Sequence, residues 1–161
     1  MDYLWTPWRY RYVAGASKDT GGCIFCEAQA RNDDAAALIV HRARLNYIIL
    51  NRFPYTTGHS MIVPYAHQAE LRDCSAETLA EMMQLAQKLQ AALEAAYQPQ
   101  GFNLGMNLGR CAGAGVKNHL HLHVLPRWNG DTSFMSTIAE TRLEPEDLAT
   151  TYEKLRRELG R

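Results

Sequence analysis

Residues 119–125 read His119-Leu120-His121-Leu122-His123-Val124-Leu125, imidazole and aliphatic side chain in alternation. A helix would throw the middle imidazole to the side opposite the other two, because alternate helical residues sit about 200° apart. An extended strand has a two-residue period, so the run predicts a strand with His119, His121 and His123 on one face. Leu120, Leu122 and Val124 then form the other face, which must lie against a core. Alternate side chains stand roughly 6.5–7 Å apart along a strand, and core filling does not account for three imidazoles at that spacing. A polar strand face, a divalent-metal site and a reactive histidine remain as readings.

The flanking segments predict what this strand packs with. Residues 37–41, 47–51 and 60–64 are short, rich in Ile, Val or Tyr, and read as three further strands. Arg52-Phe53-Pro54-Tyr55-Thr56-Thr57-Gly58 is a loop by its Pro and Gly. Ser75 reads as the N-cap of a long helix over 76–97, where Leu79, Met82, Ala86, Leu89 and Leu93 recur at steps of three and four. Pro99 and Gly101 end it. Residues 102–108 predict another strand, and Pro126 reads as the stop of the histidine strand. A short helix over 27–31 and a last helix over 145–159, with Pro145 in its first turn, complete the set. Strands joined by short loops, with helices added afterwards, argue for an α+β domain built on an antiparallel sheet. Residues 1–20 carry Trp5, Trp8, Tyr10 and Tyr12 among Arg9 and Arg11, and read as an arm docked on the body or on a partner subunit. Residues 21–161 read as one domain.

Charge narrows the partners. Lys plus Arg and Asp plus Glu both number 17, and a chain without basic excess is not expected to grip a nucleic-acid backbone. No run of roughly 18 apolar residues is present, so no membrane helix is expected. Met1-Asp2-Tyr3-Leu4-Trp5 lacks the features of a secretory signal, and the expected compartment is the cytoplasm.

A neutral imidazole is nucleophilic near pH 7, its reference pKa being about 6.5, which suits attack on phosphorus. His121, in the middle of the row, can be oriented through one nitrogen while the other attacks, and a flanking imidazole can bond a phosphoryl oxygen. The loop over 109–115, with Gly109, Gly113 and Gly115, can bring backbone N–H groups to a phosphate. Cys23-Ile24-Phe25-Cys26 adds a pair with three readings: zinc, a redox couple, or accident. A closed structural zinc site needs four ligands, and His59 and His119 are the expected partners. His41 and His67 are spare candidates, read first as ordinary surface histidines.

The run 119–125 is similar to the signature of the histidine triad (HIT) family, His-φ-His-φ-His-φ-φ with φ apolar. Pro126-Arg127-Trp128, Cys23-Ile24-Phe25-Cys26, the Asn51-to-Pro54 turn, Gly58-His59-Ser60-Met61-Ile62-Val63-Pro64 and Asn107 fall in the family's order. Leu4-Trp5-Thr6-Pro7-Trp8-Arg9 and the segment from Arg127 to Phe134 resemble the branch of bacterial and archaeal diadenosine tetraphosphate phosphorylases.

The resemblance implies a HIT-like fold, a five-stranded antiparallel sheet with two main helices, assembled as a homodimer. It implies nucleotidyl transfer at the α-phosphate of a dinucleoside polyphosphate through a covalent nucleotidyl-histidine on His121, with inorganic phosphate or water as acceptor. It puts His123 on the phosphate, Asn51 at a ribose hydroxyl, Asn107 near the phosphates, and a zinc ion on Cys23, Cys26, His59 and His119. Where many members carry Ser or Thr ahead of the triad, this chain has Gly115 within Gly113-Ala114-Gly115-Val116, leaving backbone N–H groups as donors. Lys117 and Asn118 are the side chains placed to compensate. Rival expectations are a hydrolase of dinucleoside polyphosphates or nucleoside phosphoramidates, a non-catalytic purine-nucleotide binder with structural zinc, and a zinc hydrolase holding metal on the triad.

Overall fold

The computed structural model describes residues 22–132 and 146–160. In chain order it holds helix α1 (Ile24–Ala30), a single-turn helix α2 (Asp34–Ala37), strands β1 (Ile39–Arg42), β2 (Asn46–Leu50) and β3 (Ser60–Pro64), and helix α3 (Ala76–Tyr97). Strands β4 (Gly101–Gly105) and β5 (Leu122–Arg127) and helix α4 (Leu148–Leu159) follow. The strands form one antiparallel sheet in the order β1-β2-β3-β5-β4, the five-stranded α+β arrangement expected.

Period-two alternation sorts the sheet's side chains into two cores. Val40, Ile48, Leu50, Ile62, Leu122 and Val124 point to the face covered by α3 and α4, where Met82, Leu85, Leu89, Leu93, Tyr152, Leu155 and Leu159 meet them. Ile39, Tyr47, Ile49, Met61 and Val63 point the other way, onto a smaller cluster containing Phe25 and Ala37. Because both faces are covered, β2 and β3 are buried along their whole lengths.

The long helix begins at Ser75, whose hydroxyl accepts from the Thr78 N–H at 3.1 Å, and ends on Gln98 in the left-handed region, just before Pro99. Its buried stripe includes Met82, Ala86, Leu89 and Leu93 as expected, and adds Thr78, Leu85 and Ala92. Strand β1 runs over Ile39–Arg42 rather than 37–41 and β4 over Gly101–Gly105 rather than 102–108, and four further elements differ from expectation. Helix α1 starts at Ile24 rather than Glu27, so Cys23 is its N-cap and Cys26 stands in its first turn. Helix α2 was not anticipated; Asp33 caps it by accepting from the Ala36 N–H. Helix α4 starts at Leu148 behind an Asp147 cap, and Pro145 lies outside the described residues.

The fourth difference concerns Pro126, which does not stop β5. It sits inside the strand opposite Phe102, while pairing with β3 has already ended at Val124. Its carbonyl points to the β3 side, where the Thr56 hydroxyl donates to it at 3.1 Å. The missing N–H therefore falls where no ladder bond is required. The proposed arm over 1–20 lies outside the described residues.

Candidate active site and metal centre

The triad occupies the sheet face away from the long helices. Strand β5 begins at Leu122, so His123 is the member inside the ladder, opposite Met61 and Gly105, and His119 and His121 lie on the stretch leading into it. Alternation persists through that stretch: Leu120, Leu122 and Val124 enter the helix-side core, whereas the rings of His119 and His121 pack on Phe25 with centroids 5.4 Å and 5.0 Å away. The run thus keeps the side-chain pattern of a strand beyond the end of the hydrogen-bonded ladder.

Neighbouring groups assign a proton to each ring. The Nδ1–H of His121 donates to the His119 carbonyl at 2.8 Å, which leaves Nε2 with its lone pair. Burial pushes the His121 pKa down, with the carbonyl bond opposing, so the ring is neutral at pH 7. The Tyr55 backbone N–H donates to His59 Nδ1 at 3.1 Å, so His59 carries its proton on Nε2. That proton goes to His123 Nδ1 at 2.9 Å and leaves His123 as an Nε2–H donor. Burial, reinforced by the charge of His121, pushes His123 down to about 4. The site therefore presents a neutral nucleophilic nitrogen beside a neutral N–H donor, the rings 4.8 Å apart.

Cys23, Cys26, His67 and His119 converge with their ligand atoms all within 4.8 Å of one another. His119 Nδ1 lies 3.3 Å from Cys23 Sγ and 3.6 Å from Cys26 Sγ, and His67 Nδ1 lies 3.3 Å from Cys26 Sγ. A tetrahedral zinc with ordinary Zn–S and Zn–N bonds separates its sulfur and nitrogen ligands by about 3.5 Å, so the residues fit such an ion. His119 Nε2–H donates to the Pro64 carbonyl at 2.9 Å, the outer bond that aims a ligating imidazole. Burial and the neighbouring Cys23 thiol raise Cys26, a penalty that a divalent cation between the sulfurs reverses.

One expected ligand is corrected. His59 turns toward His123 and away from the cysteines, and His67 takes the fourth position. The reason is strand direction. Pro64 ends β3 beside His119, so a residue just past that end, not one ahead of β3, falls beside the cysteines. The signal was the chain Pro64-Tyr65-Ala66-His67, which becomes readable once β3 is known to pair with β5. His41 stands on β1, outside both groups.

The remaining candidates surround the row. Asn51 places its amide nitrogen 3.3 Å from His59 Nδ1, and its oxygen accepts from the Phe53 N–H in a tight turn. Asn107 and His123 share a cleft of about 200 Å³ with Tyr55, Asn103, Leu104 and Leu125. Gly113 ends a single 3₁₀ turn over Arg110–Ala112 with φ of 87°, a conformation that favours glycine. Gly115, Lys117 and Asn118 are exposed, while Val116 anchors the loop on the cluster that holds Phe25.

The family model described as HIT domain matches residues 32–130. The chain belongs to the HIT family. It is 38% identical, over all of its length and 86% of the relative's, to a protein of Mycobacterium tuberculosis named AP-4-A phosphorylase. It is 26% identical, over 83% of its length and 95% of the relative's, to the adenosine 5'-monophosphoramidase of Schizosaccharomyces pombe. Among solved structures, a zinc-bound histidine triad family protein from Mycobacterium smegmatis superposes with a TM-score of 0.70 at 30% identity, covering 87% of this chain and 94% of that one. Against that HIT background, sequence reasoning also missed the contact of His59 with His123. No spacing rule connects it to His123, because their contact depends on β3 lying beside β5.

Proposed function

We propose that this HIT protein transfers a nucleotidyl group from a dinucleoside polyphosphate such as diadenosine tetraphosphate to inorganic phosphate. The observation that carries the reading is the bond from His121 Nδ1–H to the His119 carbonyl, which leaves Nε2 with a free lone pair to act as the nucleophile. Nε2 attacks the α-phosphorus, and the phosphorus–oxygen bond to the leaving nucleotide breaks, its electron pair departing on the oxygen of ATP. An oxygen of inorganic phosphate then attacks the same phosphorus, the phosphorus–nitrogen bond breaks, and its pair returns to Nε2 with release of ADP. In this reading His123 Nε2–H donates to a phosphoryl oxygen in both steps. Of the loop's backbone donors, the Gly113 and Ala114 N–H groups are already bonded to the Arg110 and Gly109 carbonyls, which leaves the Gly115 N–H for the phosphate. Asn51 is assigned to a ribose hydroxyl and Asn107 to the phosphates. Cys23, Cys26, His67 and His119 would hold zinc, which with four protein ligands would supply a cross-link between α1 and the segments that follow β3 and precede β5.

The likeness to a phosphorylase over the full chain supports phosphate as acceptor. The likeness to a phosphoramidase supports a second reading, transfer to water with AMP as product. Mass spectrometry after incubation with diadenosine tetraphosphate separates the two: ADP with ATP when phosphate is present, or AMP with ATP regardless of it. His121→Ala is expected to lower turnover by several orders of magnitude, on the order of 10⁴-fold or more, while keeping bound nucleotide, and full turnover by that variant would end both readings.

A further inference from the structure

We propose that the cysteine–histidine cluster is a positioning device for the nucleophile, acting on His121 through the backbone of His119 and through the ring of Phe25. The inference rests on His121 being the nucleophile and adds what holds it in place.

Two separate contacts tie the cluster to that ring. His119 faces Cys23 and Cys26 with its side chain, and its backbone carbonyl accepts the His121 Nδ1–H at 2.8 Å. One residue therefore serves the metal ligand set and the nucleophile's tautomer together. Phe25 is the second tie. It sits between the two cysteines in the opening turn of α1, is 2% exposed, and places its ring 5.0 Å from His121 at an interplanar angle of 49°. His121 also meets His123, with ring centroids 4.8 Å apart and an interplanar angle of 75°. A carbonyl bond on one nitrogen and contacts with two neighbouring rings restrict how the imidazole can turn.

Helix α1 has 7 residues and its N-cap makes no side-chain bond, so it is too short to hold its own position. Its placement depends on the bond from the Tyr47 hydroxyl to the Phe25 carbonyl at 2.9 Å, on Arg42 reaching the Gln29 carbonyl, and on the cysteines at either side of Phe25. Loosening the cysteine ties moves the ring that bounds His121, and a small displacement of a reacting group is enough to slow a reaction without changing how substrate is held.

The test uses the zinc-loaded protein and Phe25→Leu, which keeps an apolar side chain in the core. Zinc per chain, melting temperature, kcat and KM for diadenosine tetraphosphate, and the solvent exchange of the His121 Nδ1 proton by NMR are measured together. Expected are unchanged zinc, kcat lower by at least about tenfold, KM within about twofold, and faster exchange of that proton. Leu155→Ala, in the helix-side core, controls for stability: at an equal loss of melting temperature its kcat stays at the parent value. Stripping zinc from the parent protein by chelation should speed the same proton exchange while the circular dichroism is retained, and this arm decides the matter if Phe25→Leu does not fold. Unaltered kcat and proton exchange in Phe25→Leu, an equal slowing by Leu155→Ala, or no change in exchange on chelation would overturn the proposal. Turnover retained by His121→Ala would instead overturn the assignment of the nucleophile, so the two failures are told apart.

Discussion

His123 shows how burial and a neighbouring imidazole act together at a single ring. Its pKa is pushed down to about 4, first by desolvation and then by His121, whereas an unfolded histidine titrates near 6.5. Between those values the unfolded chain binds one more proton than the folded one, so this group's contribution to stability rises with pH through that window. It is complete above about 6.5 and is lost as the pH falls toward 4. The melting temperature should therefore drop on acidification across that range, and His123→Asn should flatten the drop by up to about 1.4 kcal/mol per pH unit. His59 carries a prediction of another kind. His59→Leu removes the N–H that fixes the His123 tautomer, and is expected to lower kcat about ten- to hundredfold. His59→Gln, which keeps a donor and an acceptor, should recover part of that loss, and equal activity of both variants would remove His59 from the mechanism.

At the scale of elements, one carboxylate of α3 takes three bonds from the β1–β2 turn. Glu81 Oε2 accepts from the Leu45 N–H, the Asn46 N–H and Asn46 Nδ2, each at 2.8 Å, so it closes the β1–β2 turn against the helix. Burial pushes its pKa up, but these bonds together override that and hold it below the usual carboxylate range. Glu81→Ala leaves two backbone donors without their acceptor, and chemical denaturation should register a loss of about 2–4 kcal/mol. Turnover per folded molecule should not change, since Glu81 lies on the far side of the sheet from the triad. The helix over Ala76–Tyr97 and the strand Ser60–Pro64 were legible to the residue, because helical and strand periods and a Ser cap are local signals. The bounds of β5 were not. Its ladder depends on where β3 and β4 run out, and those ends belong to other parts of the chain.

For the whole molecule the two edges of the sheet differ. At β1 the Arg156 guanidinium from α4 donates to the Val40 carbonyl at 3.2 Å, so side chains of another element occupy that edge. Strand β4, Gly101–Gly105, contains no charged residue, and its Leu104 is 44% exposed. An uncharged edge with an exposed aliphatic side chain is a template for another strand. We expect a homodimer joined along β4, which light scattering would register, and Leu104→Lys should shift it to monomer. A monomeric parent protein would remove the expectation. Helix α4 shares one core cluster with α3 and the sheet, so the described residues should melt in a single transition.

Whether an imidazole row forms, which faces the strands bury and where the long helix lies were determined by the sequence alone, since each follows from spacing between near neighbours. The tautomer of His121, the nucleophile we propose, was legible for the same reason: the ring takes its orienting carbonyl from a residue two positions away. Partners brought together by strand pairing were decided only by the tertiary structure. Two histidines exchanged roles on that account, His67 joining Cys23, Cys26 and His119, and His59 turning to His123. Both flank β3, and nothing in their own spacing says which end of that strand meets the cysteines; the antiparallel register of β3 on β5 does.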